Sequence, residues 1–376
     1  MADLLDYVLW RGDISFEAAA LNEIDCLIFV QLSYIKFDGI VPALESKDTV
    51  SLAEAADRFF TAPDFAERSD NGPLISKKTV ELLRSVTTAA RFKNIPLCAY
   101  VNIIDSTAEK QFAAVSFVLP NKTLFCAFRG TDDTLIGWKE DFNMAFLPEI
   151  PAQHEAVRYV QTAAALRPFK TILLGGHSKG GNLAVYAAAK CSQKLKSRIT
   201  GVYNFDGPGF TQETLDTKDF CLDIPAVHTF IPEMSVVGML FEQVGTISIV
   251  ESTERGLMQH DTFSWVLSGP RFCLIQGISL SSHMIDRTVK NLLAKLDIPQ
   301  RRILVNTIAE IIQASKAQRL SDFHTNIIEN SIAMLGAMRK VDADTREIII
   351  HIIQLLFTSA KDAVRQIYGE KHQIQT

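Results

Sequence analysis

Between Leu173 and Ala189 the chain reads LLGGHSKGGNLAVYAAA, with one serine set among glycines. Just upstream, TILLG is an apolar run with the length of a buried strand; just downstream, Gly181, Ala184, Ala187 and Ala188 are small enough to let a helix lie close against a sheet. A strand that turns at once into a helix forces the corner residue into a strained backbone conformation, and side chains two before and two after it must be nearly absent. Gly176 and Gly180 stand at those two places around Ser178. The stretch reads as a buried strand, a sharp corner and a packed helix that leave a held, exposed hydroxyl at the corner, the plainer alternative being a glycine-rich turn that only starts a helix. A phosphate-binding loop is excluded, because that pattern needs lysine followed by serine or threonine and here Ser178 precedes Lys179.

The surrounding pattern agrees with a layered α/β protein. Runs rich in β-formers begin near residue 97 with LCAYVNIIDS, QFAAVSFVLP and TLFCAFRGT, the last two separated by the turn residues Pro120, Asn121 and Lys122. A helical stretch (HEAVRYVQTAAALRP), the TILLGG strand, a helix from about Gly180 to Lys190, and the strands ITGVYNF and IPAVHTFI follow. Apolar strands alternating with helices predict a mostly parallel sheet with helices on both faces. Before residue 97, EIDCLIFVQLSYIKF reads as a buried helix, residues 51–75 as a short helix and a loop, and SKKTVELLRSVTTAARF as an amphipathic helix with Ser76 as its N-cap. After Ser281 the β signal gives way to successive amphipathic helices. The expected organisation is a helical segment at 1–96 packed on the core, an α/β core at 97–280, and a C-terminal helical region at 281–376.

With 376 residues, 47% of them hydrophobic, the chain has enough apolar material for a large core. A net charge of -5 gives no basic surface of the kind that tracks nucleic acid. The six cysteines have no CxxC spacing and sit mostly in apolar runs, as small buried hydrophobes of a reducing compartment do. No run approaches the roughly 18 apolar residues of a membrane span, and MADLLDYVLWRGDISFE carries acids where a signal peptide needs basic residues. The expectation is a cytoplasmic, soluble chain without integral membrane association. No His, Glu or Cys cluster has ligand spacing, so neither a metal nor an organic cofactor is implied.

GGHSKGGNLA, taken with the upstream LFCAFRGTDDTLIGWKEDF, resembles the class 3 lipase branch of the α/β-hydrolase superfamily, and within it uncharacterised bacterial relatives of unknown substrate. The resemblance covers about residues 97–270. It implies an α/β-hydrolase fold with Ser178 as nucleophile. The N–H of Lys179, at the start of the helix, would face a developing oxyanion. The residue after Phe-Arg-Gly supplies the second oxyanion donor in that branch, and here it is Thr131. Arg129 reads as a structural ion pair with Asp141 as a plausible partner, and Trp138 as packing.

A serine hydroxyl needs a base. His177 precedes the nucleophile and should point away from it; His154, His324, His351 and His372 fall in helices, and His228 inside a strand. His260, in the loop GLMQHDTFSW after the later strands, lies where this fold delivers its base, with His283 as the alternative. The acid departs from the pattern. Class 3 lipases carry aspartate in the turn after the strand matching AVHTFI, and that position here is Ser235. Asp206, in the tight turn YNFDGPGF, and Glu233, in IPEMSVVG, remain, with Asp206 preferred for its short side chain on a rigid turn.

Such a site performs acyl transfer, most simply hydrolysis of a lipid or other small-molecule carboxylic ester through an acyl-serine. FNMAFLPEIP, in the lid region of the branch, is short for a lid, but Phe142 and Phe146 would line an acyl pocket. Lys179, where lipases commonly have leucine, either adds positive charge near the mouth or faces solvent. A peptidase, amidase or thioesterase with the same triad, and a catalytically silent hydrolase-fold protein whose helical tail binds a partner, are the rival readings.

Overall fold

The computed structural model describes residues 1–70, 75–132, 149–221, 225–235 and 237–277, together with Gly137, Glu140, Asn143, Met144, Leu147, Ala343 and Arg346. The expected C-terminal helices, with His283, and the residues Trp138, Asp141, Phe142 and Phe146 lie outside the described residues.

Helices α1 (Leu4–Arg11) and α2 (Glu23–Leu32) open the chain, followed by a short strand β1 (Val50–Ser51) and helices α3 (Leu52–Phe60), α4 (Phe65–Arg68) and α5 (Lys78–Thr88). Lys77, not Ser76, caps α5, and it makes no side-chain cap bond; the Ser76 hydroxyl is turned to Asp261 instead. Then come β2 (Pro96–Asp105), β3 (Lys110–Leu119), β4 (Thr123–Phe128), α6 (Pro151–Ala165), β5 (Thr171–His177), α7 (Lys179–Lys190), β6 (Ile199–Phe205), β7 (Val227–Pro232) and β8 (Thr246–Val250).

Among the described residues, β1 to β8 form one sheet in sequential order. Pairing is antiparallel from β1 to β4 and parallel from β4 to β8. The sequence pattern does not announce β8, whose Ile247 is exposed at the sheet edge.

The alternation of strand side chains feeds two cores. Val115, Phe117, Phe125, Ala127 and Leu173 face one, with Ile24 to Leu32 of α2 packed on them. Phe112, Ala114, Leu124, Cys126, Phe128, Ile172 and Leu174 face the other, under Leu183 to Ala189 of α7 and the apolar side of α6. Both faces of the sheet are thus covered, which is why its central strands are continuously apolar. Helix α2 lies so close to β5 that a Cβ at Gly175 would sit 2.7 Å from the Phe125 ring and 3.1 Å from Val30.

One buried ion pair locks the N-terminal elements together. Arg91, just after α5, donates from Nε and Nη2 to the two carboxylate oxygens of Asp25 in α2, at 2.8 and 2.5 Å. Its other three donors meet the carbonyls of Ile14, Ala19 and Ala20, and its guanidinium lies 3.9 Å from the Phe16 ring centroid. All five donors of the planar fork are used, and Tyr7 adds a bond to Asp25 at 2.9 Å. A buried pair stripped of one partner leaves an uncompensated charge, at a cost of about 3–5 kcal/mol. Arg91→Ala is expected to lower unfolding stability by about that amount in denaturant titration, and Arg91→Lys to recover little of it, since an ammonium lacks the fork.

Candidate active site

Strand β5 ends at His177 and α7 begins at Lys179, so Ser178 is the whole of the corner between them. Its backbone sits at φ 57°, ψ -133°, a strained region for a residue with a side chain. The glycines explain how the corner closes. A Cβ at Gly176 would lie 2.0 Å from the carbonyl oxygen of Gly180, and one at Gly180 would lie 2.2 Å from that of Phe128. Strand, corner and helix in the middle of a largely parallel sheet covered on both faces make an α/β-hydrolase fold, as the two motifs imply. Ser178 is partly exposed, and its hydroxyl forms no hydrogen bond with a described residue.

The parallel pairing of β4 with β5 aligns Phe128 with Gly176 and carries the Arg-Gly-Thr turn up to the corner. Gly130 is pressed against it: a Cβ there would be 3.0 Å from the Ser178 Cβ. Thr131 follows immediately, half-buried. Arg129 bonds Asn102 and pairs with Asp132, each at 3.1 Å; the suggested partner Asp141 lies outside the described residues.

The expectation for the Lys179 side chain is corrected. It neither charges a mouth nor faces solvent but runs into the interior, where Nζ meets Glu140 at 2.9 Å and the side-chain and backbone oxygens of Gln111 at 2.6 and 3.0 Å. Lys179 and Glu140 side chains are 1% and 0% exposed. Glu140 also accepts from the backbone N–H of Gln111 and of Ala152, each at 3.0 Å. The first residue of α7 is thereby tied to β3 and to the start of α6. A buried ammonium that meets a carboxylate and two carbonyl-type oxygens is compensated; a lysine next to a serine in sequence gives no sign of which way it turns.

Of the two carboxylates, Asp206 is the one on His260. The chain leaves β6 at Phe205 and turns at Asp206 with φ 49°. Oδ2 lies 2.6 Å from Nδ1 of His260. Oδ1 accepts from the Ser235 hydroxyl at 2.5 Å and from the Gly238 N–H at 3.1 Å. The carboxylate is buried with three donors on its two oxygens, whereas Glu233 is exposed. Ser235, the residue at the position where the resemblance expects an acid, thus donates to a carboxylate supplied by the neighbouring strand.

His260 ends a short 3-10 turn, Gly256–His260. The turn is anchored on both sides, by Trp265 Nε1 donating to the Gln259 carbonyl at 2.8 Å and by the Met234 N–H donating to the Gln259 side chain at 2.7 Å. With Nδ1 facing Asp206, Nε2 is the ring nitrogen left for another partner.

Two residues that the sequence reading leaves aside complete the surroundings. His177 is buried, with its ring centroid 4.5 Å from that of His260. Its Nε2 lies 2.9 Å from the His260 carbonyl oxygen, and its Nδ1 lies 2.9 Å from the Tyr34 hydroxyl. Burial, and secondarily the neighbouring His260, hold His177 well below the ordinary 6.5 of a histidine. His177 stood in the motif; Tyr34, in the apolar run SYIKF, carried no signal at all. His228 stacks on Tyr203, centroids 5.3 Å apart. Among the described residues no group of three His, Cys, Asp or Glu is placed to hold a metal, and no helix is long and apolar enough to cross a membrane.

A family model described as Mbeg1-like matches residues 86–310. Among solved structures, a triacylglycerol lipase from Penicillium expansum is similar at 16% identity over 47% of this chain and 76% of that one, with a TM-score of 0.33. A mutant form of MDLA from Penicillium cyclopium is similar at 14% identity over 67% of this chain and 86% of that one, with a TM-score of 0.38. No curated protein matches the chain.

The depressed His177 makes stability fall with acid. The unfolded chain takes up a proton there as the pH drops through 6.5, while the folded protein does not until lower pH. The contribution is therefore complete above that value and is lost progressively below it. Wild-type melting temperature is expected to fall more steeply from about pH 7.5 to about pH 5.5 than that of His177→Gln, and equal slopes in the two proteins would contradict a neutral His177.

Proposed function

The chain belongs to the Mbeg1-like family, and we propose that it is a serine hydrolase that cleaves a carboxylic ester through an acyl-serine intermediate. The observation that carries this reading is the 2.6 Å contact of a buried Asp206 with His260 Nδ1, beside a serine held at a strained strand-to-helix corner.

In this reading Asp206 keeps the proton of His260 on Nδ1, and Nε2 removes the proton of Ser178 as its oxygen attacks the ester carbonyl. A carbon–oxygen bond forms and the carbonyl electron pair moves onto oxygen. The N–H of Lys179 at the start of α7 and that of Thr131 are the proposed donors to this oxyanion. His260 returns its proton to the leaving alcohol, which departs to give acyl-Ser178. Water repeats the sequence, giving its proton to His260 and its oxygen to the acyl carbon, and Ser178 is restored. The buried turn of Asp206 suits this role, because an orienting carboxylate must not swing.

Phe142 and Phe146 remain the proposed lining of the acyl pocket. With its ammonium on Glu140, Lys179 gives no reason to favour an anionic substrate. Residues 97–280 are taken as the catalytic core, flanked by the segments 1–96 and 281–376, acting in the cytoplasm.

A fluorophosphonate probe tests the chemistry directly. The wild type is expected to label at Ser178, Ser178→Ala not to label, and His260→Ala to label far more slowly. On a panel of acyl esters, thioesters, aryl amides and peptides, esters should turn over fastest. Asp206→Asn is expected to lose about 10²- to 10⁴-fold in kcat while Glu233→Gln stays near wild type. A wild type that neither labels nor hydrolyses any acyl substrate sinks the proposal, and a loss confined to Glu233→Gln would move the acid.

A further inference from the structure

With His177 neutral, as its burial favours, the bonds around it follow from one arrangement of protons. The carbonyl oxygen of His260 only accepts, so the His177 nitrogen 2.9 Å away, Nε2, carries hydrogen. In a neutral imidazole the other nitrogen then presents a lone pair, and Nδ1 presents it to the Tyr34 hydroxyl at 2.9 Å. The phenol proton points to Nδ1, and the phenol oxygen accepts the N–H of Gly130 at 3.2 Å. Donor follows acceptor without conflict from Gly130 through Tyr34 and His177 to His260.

We propose that Tyr34 and His177 are positioning residues that join the base to the oxyanion turn, so that His260 and the Gly130–Thr131 peptide are held in register with Ser178. The inference rests on the hydrolase reading above, since it concerns the roles of His260, Thr131 and Ser178 in it.

Three features support the assignment. The first is where the chain ends up: Gly130 and Tyr34 are 96 residues apart, Tyr34 and His177 are 143, and His177 and His260 are 83. Four separate segments therefore meet on two side chains, one of which is the residue immediately before the nucleophile. The second is close approach. A Cβ at Gly130 would lie 2.4 Å from the Tyr34 hydroxyl and 2.7 Å from the His177 carbonyl oxygen, so the turn can sit on this relay only as glycine. Its next peptide bears the N–H of Thr131.

The third is charge. His260 becomes an imidazolium in every turnover of the proposed cycle, with the His177 ring centroid 4.5 Å away. A charged neighbour would oppose that step. Burial keeps His177 uncharged, so one side chain supplies a hydrogen bond to the base's backbone without competing for its proton. Tyr34 follows α2 by two residues, and this makes the N-terminal segment a contributor to the site in addition to a cover for the sheet.

The test uses the full chain, with kcat expressed per site titrated by the fluorophosphonate, so that a misfolded fraction drops out. Tyr34→Phe keeps the ring and loses the hydroxyl. It is expected to lower kcat per labelled site by about 10- to 100-fold with KM nearly unchanged. His177→Gln retains a donor for the His260 carbonyl, whereas His177→Leu retains neither bond, so the glutamine variant should keep the larger share of kcat. In nitrogen-15 NMR of the imidazoles, His177 should show the neutral Nε2–H form in the wild type, and Tyr34→Phe should blur that preference. Variants that alter only the fraction of labelled sites, with kcat per site within about twofold of wild type, would reduce the relay to packing and overturn the inference. A wild type that never labels is a separate result: it removes the hydrolase reading, and this inference falls with it.

Discussion

Everything at the site follows from the absence of two Cβ atoms. With Gly176 facing the Gly180 carbonyl and Gly180 facing that of Phe128, β5 turns into α7 within the single residue Ser178. No wider turn would place the helix start, the end of β4 and the serine in one small volume. The strain at Ser178 is borne by what surrounds it: its N–H donates to the Phe205 carbonyl at 3.0 Å, and its own carbonyl accepts from Gly181 at 2.9 Å. Strained backbone persists only where neighbours over-determine it, and here both β6 and the first turn of α7 do so.

Beneath the corner lies a second constraint, made of charge. Glu140 receives Lys179 from the elbow, and backbone N–H groups from β3 and α6, so three elements that the chain visits far apart share one carboxylate. Asp25 and Arg91 do the same for the N-terminal helices. Replacing such pairs with well-packed apolar residues would often be stabilising, so stability alone gives no reason for a carboxylate and an ammonium under the nucleophile. What an ion pair adds is geometry, because a lone pair fixes a direction that an apolar contact leaves loose. If the corner's backbone N–H serves the proposed oxyanion, direction is the property required.

The sheet was legible because it obeys a simple rule: apolar runs such as TILLG and TLFCAF have no polar face to offer solvent, so they must be covered twice. The corner was legible because only glycine tolerates its contacts. The contact between His260 and Asp206 is one that chain order and turn chemistry anticipate, since they narrow the candidates to a loop after the later strands and a tight turn. The Lys179 side chain was not legible, because its partners, Gln111 and Glu140, are 68 and 39 residues away. Tyr34 was not legible either, since a tyrosine inside an apolar run looks the same whether its hydroxyl finds solvent or a histidine. The cap of α5 falls at Lys77 rather than at Ser76, and the Ser76 side chain bonds Asp261, again distant in sequence.

The acid is where sequence order and spatial order part company. Reading the turn after β7 for a carboxylate finds Ser235, and taken alone that reads as a loss. Neighbouring strands lie only about 4.8 Å apart, so the ends of β6 and β7 address the same imidazole. Asp206 reaches it from β6, and the Ser235 hydroxyl points back at Asp206 from β7, with the Gly238 N–H donating to both. A carboxylate at Ser235 in the company of Asp206 would set two like charges in a space that now holds one charge and its donors, and one of them would have to bind a proton. The serine is thus the residue type that the neighbouring position suits once the carboxylate stands at the end of β6: short enough to fit, uncharged, and able to donate.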